Sequence, residues 1–207
     1  YRRSAGVAMI GRIASKLMRL RRDARGVTLL EFGFVAPPLM LTIMAIGDLG
    51  YQAYWHAVAR GVLEKAARAA SVGTLNGAQF DAYITQQMSA ITARNASPPH
   101  IVKKSYYNFS RVGKPEKITS DTAPLGVYNS GDCYEDANGN GVFDTSGGST
   151  GLGNADDIVY YEVTLSQPRL FPMARLLGWS ATQSVTVSTM VRNQPWANQT
   201  TPTIRCS

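Results

Sequence analysis

The sequence predicts an α+β protein: a long N-terminal transmembrane helix continuing into a juxtamembrane helix, then an extracytoplasmic antiparallel-sheet head. Three observations predict this. A basic block precedes a twenty-residue apolar run, helix-period patterns continue to about residue 93, and β-branched and aromatic segments dominate the second half. Helices first and strands afterwards is the order of an α+β architecture.

The charge distribution comes first along the chain. The protein has 207 residues and a formal charge of +7, with 21 Lys and Arg against 14 Asp and Glu. That excess is local. Residues 1–26 hold eight basic side chains against Asp23 alone, and the remainder balances thirteen of each sign. A generally basic surface is thereby excluded, and with it a nucleic-acid partner. Residues 1–26 read as a basic cytoplasmic leader.

From Val27 to Ile46 the chain reads VTLLEFGFVAPPLMLTIMAI, with Glu31 its one charge. Twenty helical residues span roughly 30 Å, the thickness of a bilayer core. Residues 27–47 are therefore expected to cross the membrane. The Lys and Arg cluster before them predicts a cytoplasmic N-terminus. The run is too long for a cleavable secretory signal, and no small-x-small site follows it. A carboxylate at membrane depth costs about 2.5–3.5 kcal/mol, so Glu31 has two readings. It either reaches headgroups at the cytoplasmic edge or is a functional intramembrane group. Pro37-Pro38 each remove a helical hydrogen bond, so a kink is expected there.

Residues 48–96 are expected to hold the juxtamembrane helices. Tyr51, Tyr54, Val58, Val62, Ala66 and Ala69 recur at steps of three or four and form the expected apolar stripe. Gln52, His56, Arg60, Glu64 and Arg68 make a polar face, on which His56 is solvated and no ligand. Gly73, Asn76 and Gly77 end this helix. A second helix is expected from Ala78 to Ala93, with Phe80, Ile84, Met88 and Ile91 inward, stopped by Ser97-Pro98-Pro99.

Residues 97–207 form the expected β-rich head. Ile101 to Val112, Ile158 to Leu165 and Ala181 to Val191 are the strand candidates. A short helix is expected at Arg169 to Leu177, and Ser146 to Gly153 reads as a flexible glycine-rich loop.

One stretch of the head has site chemistry. Asp136, Asn138, Asn140, Gly141 and Asp144 follow the calcium-loop spacing D-x-N-x-N-G-x-x-D. Alternate oxygens can converge on one cation because the glycine permits a sharp turn, and Val142 can offer its carbonyl. Position 12 of such a loop is Gly147 instead of Glu; Asp156 or Asp157 could supply the missing carboxylate. The same residues also make a good Asn-Gly turn with solvated acids, and both readings stand. Calcium is the only cofactor expected. Cys133 and Cys206 are the only cysteines, which suggests one disulfide in an oxidising compartment. Two unpaired buried thiols are the alternative. Two histidines without a triad and the lack of a phosphate loop argue against an enzyme.

A family resemblance adds to these readings. Arg25 to Phe32, RGVTLLEF, resembles the processing site of type IV pilin-like proteins, and Arg21 to Gly73 is similar to TadE-like proteins. The shared features are the basic patch, the Glu-Phe pair, the Ala-Pro inside the span, the Gly-acid-Leu-Gly exit at Gly47 to Gly50 and the Ala-rich helix beyond. Leu170 to Gly178 and Val191 to Trp196 also look like the C-terminal regions of that family. The resemblance implies cleavage by a prepilin peptidase after Gly26, making Val27 the first mature residue and Glu31 the fifth, next to Phe32. It implies assembly with other pilins and pseudopilins on the inner-membrane platform of a bacterial Tad-type pilus. The alternative is an uncleaved signal-anchored binding domain that recognises a ligand through calcium.

Overall fold

The structure is a computed structural model and describes residues 25–92, 96–171, 178–194 and 197–206. The expected leader before Arg25 lies outside the described residues, as do residues 172–177 of the expected short helix and Trp196. Arg169 to Phe171 are not helical. The chain divides into two compact units, one ending at Asp48 and one running from Leu49 to Ser207.

Helix α1 runs Arg25–Ser71 without interruption by Pro37 and Pro38. In the first unit it is a single apolar rod. Val27, Leu29, Leu30, Phe32, Phe34 and Val35 are each at least half exposed. Thr42 Oγ1 donates to the Pro38 carbonyl at 2.8 Å, the back-bond by which a hydroxyl satisfies itself inside an apolar helix.

In the second unit the same helix turns apolar side chains inward. Trp55, Ala59, Leu63, Ala66, Ala67 and Ala70 are buried, whereas Tyr54 is 55% exposed. The buried stripe therefore lies one residue on from the stripe expected through Tyr51 and Tyr54. Its largest members, Trp55 and Leu63, decide the face because they have the most apolar area to remove from water. Gly73 ends α1 at φ +76°, with Gly73 N donating to Ala70 O and Thr74 N to Ala69 O. That pair of bonds is the Schellman closure, which needs a left-handed residue.

Helix α2 spans Gly77–Ser89. Asn76 does more than interrupt α1: its side chain accepts from Gln79 N at 2.9 Å while Gln79 Oε1 accepts from Asn76 N at 2.9 Å. This reciprocal cap satisfies two donors that a helix start leaves unpaired. The buried face of α2 is Phe80, Ile84 and Met88, as the period predicts.

Among the described residues seven strands follow: β1 His100–Tyr106, β2 Ile118–Ser120, β3 Cys133–Asp136, β4 Ser149–Thr150, β5 Ile158–Pro168, β6 Thr182–Arg192 and β7 Thr203–Cys206. They make a four-stranded sheet in the order β4-β1-β5-β6 and a three-stranded sheet β2-β3-β7, all antiparallel. β5 and β6 pair over eleven residues, from Ile158 opposite Arg192 to Pro168 opposite Thr182. On one face of that ladder Val159, Tyr161, Val163, Leu165, Val185 and Val187 join the buried residues of α1 and α2 in one core. Period 2 in the strands meets period 3.6 in the helices across this layer. Phe80 stacks on Tyr161 with centroids 4.8 Å apart, and burial pushes the Tyr161 hydroxyl up to about 12.

Candidate functional site

Two places carry the candidate residues. The first is the start of α1. Gly26 and Val27 lie in its first turn, and Val27, Glu31 and Phe32 are exposed. No described glycine in this stretch is crowded: a Cβ on Gly33 would meet nothing within 4 Å. This part of α1 is long and apolar enough to cross a membrane, and none of its most apolar window is buried against the protein. An apolar surface of that kind has only lipid or other apolar helices as stable surroundings.

The second place is the 136–144 loop. Strand β3 ends on Asp136, which is 2% exposed, and the chain then folds back on that carboxylate. Asp136 accepts from Asn140 N at 3.1 Å and Gly141 N at 2.9 Å. Asn138 Oδ1 accepts from Asn140 N at 3.0 Å, and Asn140 Oδ1 from Val142 N at 2.8 Å. Gly139 and Gly141 sit at φ +74° and +77°, which is why glycines alternate with the asparagines. The Asn138 and Asn140 amides both donate to Asp144 Oδ2, at 2.6 and 2.7 Å. The Asn138 and Asn140 side chains thus meet on Asp144, while the Asp136 carboxylate takes the backbone amides of Asn140 and Gly141. Val142 offers its backbone at the exposed rim.

Asp156 and Asp157 are engaged elsewhere. Asp156, at φ +68°, pairs with Arg192 at 2.8 Å. Asp157 accepts from Asn154 N at 2.7 Å and from Gln199 Nε2 at 2.9 Å. Among the described residues no three His, Cys, Asp or Glu side chains come together as a metal-binding group. The loop's own side-chain donor set is two carboxylates and two carboxamides.

Two charged residues at the loop carry no signal in the sequence. Glu116, twenty positions upstream and 5% exposed, accepts from Ala137 N at 2.8 Å and from Asp144 N at 3.0 Å. It clamps both ends of the loop. Burial raises its carboxyl above the ordinary 4.5; the two backbone donors pull the other way, and nearby Asp136 and Asp144 add to the rise. Arg205, on β7, donates through Nε to Asp136 Oδ2. Burial alone would raise Asp136, but the Arg205 bond and the Gly141 and Gly139 amides outweigh it, and its carboxyl lies below 3.8.

Around the loop the packing is tight. Tyr128 stacks on Phe143 at 4.2 Å, and both meet Tyr134 edge-on. A Cβ on Gly147 would lie 2.9 Å from Glu116 Cγ, and one on Gly148 only 2.7 Å from the Tyr106 ring. In the glycine-rich stretch expected to be flexible, Gly147, Gly148 and Gly153 have no room for a side chain, whereas Gly151 has open space and a φ of +119°. Cys133 and Cys206 stand opposite each other in the β3–β7 register and form a disulfide. A cleft of about 470 Å³ lies beside the loop, between residues 136–139 and the tail residues 200–203.

The exposed apolar helix and the α+β unit beyond it define a class: a protein with, among the described residues, one candidate membrane helix, near the N-terminus. Residues 26–71 match the family model described as TadE-like protein. The matched stretch coincides with α1 almost residue for residue and stops before α2. Together the match and the helix support a membrane protein associated with the Tad pilus. Comparison with curated proteins and with solved structures gives no match.

Proposed function

We propose that this chain is a membrane-anchored minor pseudopilin that takes part in assembling a Tad-type pilus or secretion filament. Its role is structural, and no reaction is assigned to it. A prepilin peptidase cleaves after Gly26, and α1 is incorporated beside the helices of other pilins and pseudopilins on the inner-membrane platform. The N-terminus faces the cytoplasm; the sheet-bearing unit lies in the periplasm or in the filament outside. The observation that carries the reading is that most large apolar side chains from Val27 to Ile46 are exposed and none is buried, on the helix that matches the TadE-like model.

In this role cleavage frees an ammonium group at Val27, and Glu31 of a neighbouring subunit accepts it. Two opposite charges that meet only on assembly set axial register, because either one left alone in an apolar bundle is costly. Glu31→Ala should insert into the membrane normally and fail to enter filaments, read by fractionation against sheared pili. Normal incorporation of that variant removes the assigned role, and an intact leader on the membrane protein removes the processing step.

For the 136–144 loop we propose calcium as ligand, in competition with Arg205 for Asp136. What supports it is that the Asn138 and Asn140 side chains meet on Asp144 while Asp136 closes the same loop through the Asn140 and Gly141 amides. Binding requires the two asparagine amides to turn their oxygens inward. Calcium titration of the full chain in detergent, with Asp144→Ala as control, should give a saturable heat that the variant lacks. No heat in either the wild type or Arg205→Ala ends the calcium reading, including that of an anchored calcium-dependent binding domain.

A further inference from the structure

Strand β7 has little of its own to hold it in place. All four of its residues are exposed, so no apolar burial fastens it to β3. Three things do: the ladder from Cys133–Cys206 to Asp136–Thr203, the disulfide, and the side chain of Arg205. Arg205 directly precedes Cys206, and its guanidinium reaches past Tyr134 to the buried carboxylate at the end of β3. A Cβ added to Gly141 would lie 3.7 Å from Arg205 Cζ, so the cation seats against the loop backbone there. That one carboxylate also receives the Asn140 and Gly141 amides. The tail, the end of β3 and the middle of the loop therefore meet at Asp136.

We infer that Arg205 is the resident cation of the 136–144 loop, delivered by the Cys133–Cys206 disulfide, so that oxidation of the cysteine pair latches the loop to the C-terminal tail. In that oxidation the two thiols lose two protons and two electrons, and a bond forms between their Sγ atoms. An external disulfide accepts the electrons and leaves as two thiols. Once formed, the bond converts the encounter of Arg205 with Asp136 into a local event at high effective concentration. Without it, four exposed residues hold β7 by ladder bonds and the Arg205 side chain, past the anchor that Gln199 makes to Tyr107 and Asp157, and such ends fray. The cleft of about 470 Å³ is lined by loop residues 136–139 and tail residues 200–203, together with parts of β1, β4 and residues 153–157, so the latch holds one of its walls. None of this depends on the pilus role or on calcium.

The test is residue-resolved amide exchange on the full chain in detergent micelles, with calcium chelated throughout. Reduction by a dithiol should speed exchange of the Asn140 and Gly141 amides about tenfold or more, the scale of one charge-assisted hydrogen bond. Arg205→Ala in the oxidised chain should do the same, and reducing that variant should add little. Arg205→Lys, which keeps a cation at the position, should recover part of the protection. The Val163 and Val187 amides of the β5–β6 ladder report that the sheet stays folded. Unchanged loop exchange in oxidised Arg205→Ala overturns the latch. So do independent, multiplying effects of reduction and substitution, or Lys and Ala variants that behave alike.

Discussion

Helix α1 contains two apolar stretches that the protein uses in opposite ways. From Val27 to Ile46 nearly every large apolar side chain is exposed; from Trp55 to Ala70 a one-sided stripe is buried on α2 and on the β5–β6 ladder. The two share a backbone and differ in pattern. The first is apolar all round, so no single face is distinguished and the surroundings must be apolar on every side. The second places Arg60, Glu64 and Arg68 opposite its stripe, with Arg60 and Glu64 paired at 3.1 Å, and so fits a protein core on one face and water on the other. The lesson is that amphipathicity, more than total hydrophobicity, assigns a helix segment its solvent.

The largest effect that tests this contrast falls on the buried side. Phe80→Ala removes the ring stacked on Tyr161 and should destabilise the second unit by about 3–5 kcal/mol. Denaturant unfolding in micelles, followed through aromatic circular dichroism, measures it; a loss under 1 kcal/mol would mean the helix-on-sheet layer is not the core. Next comes the cross-link. Cys133→Ser with Cys206→Ser frees a closure across 73 positions and should cost about 4 kcal/mol in the same assay. A double variant as stable as the parent would show that β7 is held by its ladder and by Arg205.

A smaller effect is set by pH. The Thr122 amide holds the fully buried Asp132 carboxyl below 3.8; burial opposes this, and the Asn129 amide and Thr122 hydroxyl add to the lowering. Asp136 lies below 3.8 as well. Lowered carboxyls stabilise the fold above their unfolded value, and that contribution is lost as pH falls through the folded one. Glu116, raised above 4.5, has the opposite sign and gains stability as it protonates. The melting temperature should therefore hold or rise slightly on acidification towards pH 4.5, then fall below about 3.8. In Asp136→Asn the acid limb should be shallower, and a limb identical to the parent's would remove Asp136 from its cause. The smallest effect belongs to the exposed stretch. Leu30→Ala should change the unfolding of the second unit by no more than a few tenths of a kcal/mol, the scale of one apolar residue in a bilayer helix. If it unfolds that unit as Phe80→Ala does, the two stretches are not functionally distinct.

Much of the candidate chemistry was legible from local spacing. The alternation of Asp136, Asn138 and Asn140 with glycines dictates its own turns, because each side chain reaches an amide only two to five residues on. The capping pair at Asn76 and Gln79 is equally local, although the reading used Asn76 only as a stop for α1. What escaped was whatever reaches the loop from far along the chain. Glu116 sits in an unremarkable Lys-Pro-Glu-Lys stretch, and Arg205 in a tail with no apolar pattern. Short strands such as β2 and β7, three and four residues long, are too brief for period 2 to register.

By itself, the sequence determined the local patterns: the charge of residues 1–26, the length of the apolar run, the period of α2 and the alternation along β5 and β6. Those are properties of neighbours within a dozen residues, where backbone geometry alone sets which side chains share a face. Only the tertiary structure decided which stripe of α1 became the buried one, that Cys133 and Cys206 face each other, and that Arg205 and Glu116 converge on the 136–144 loop. The cysteine and Arg205 placements depend on the register of strands some seventy residues apart, and the others on packing between separate elements; both follow from the collective burial of many side chains, which no short window contains.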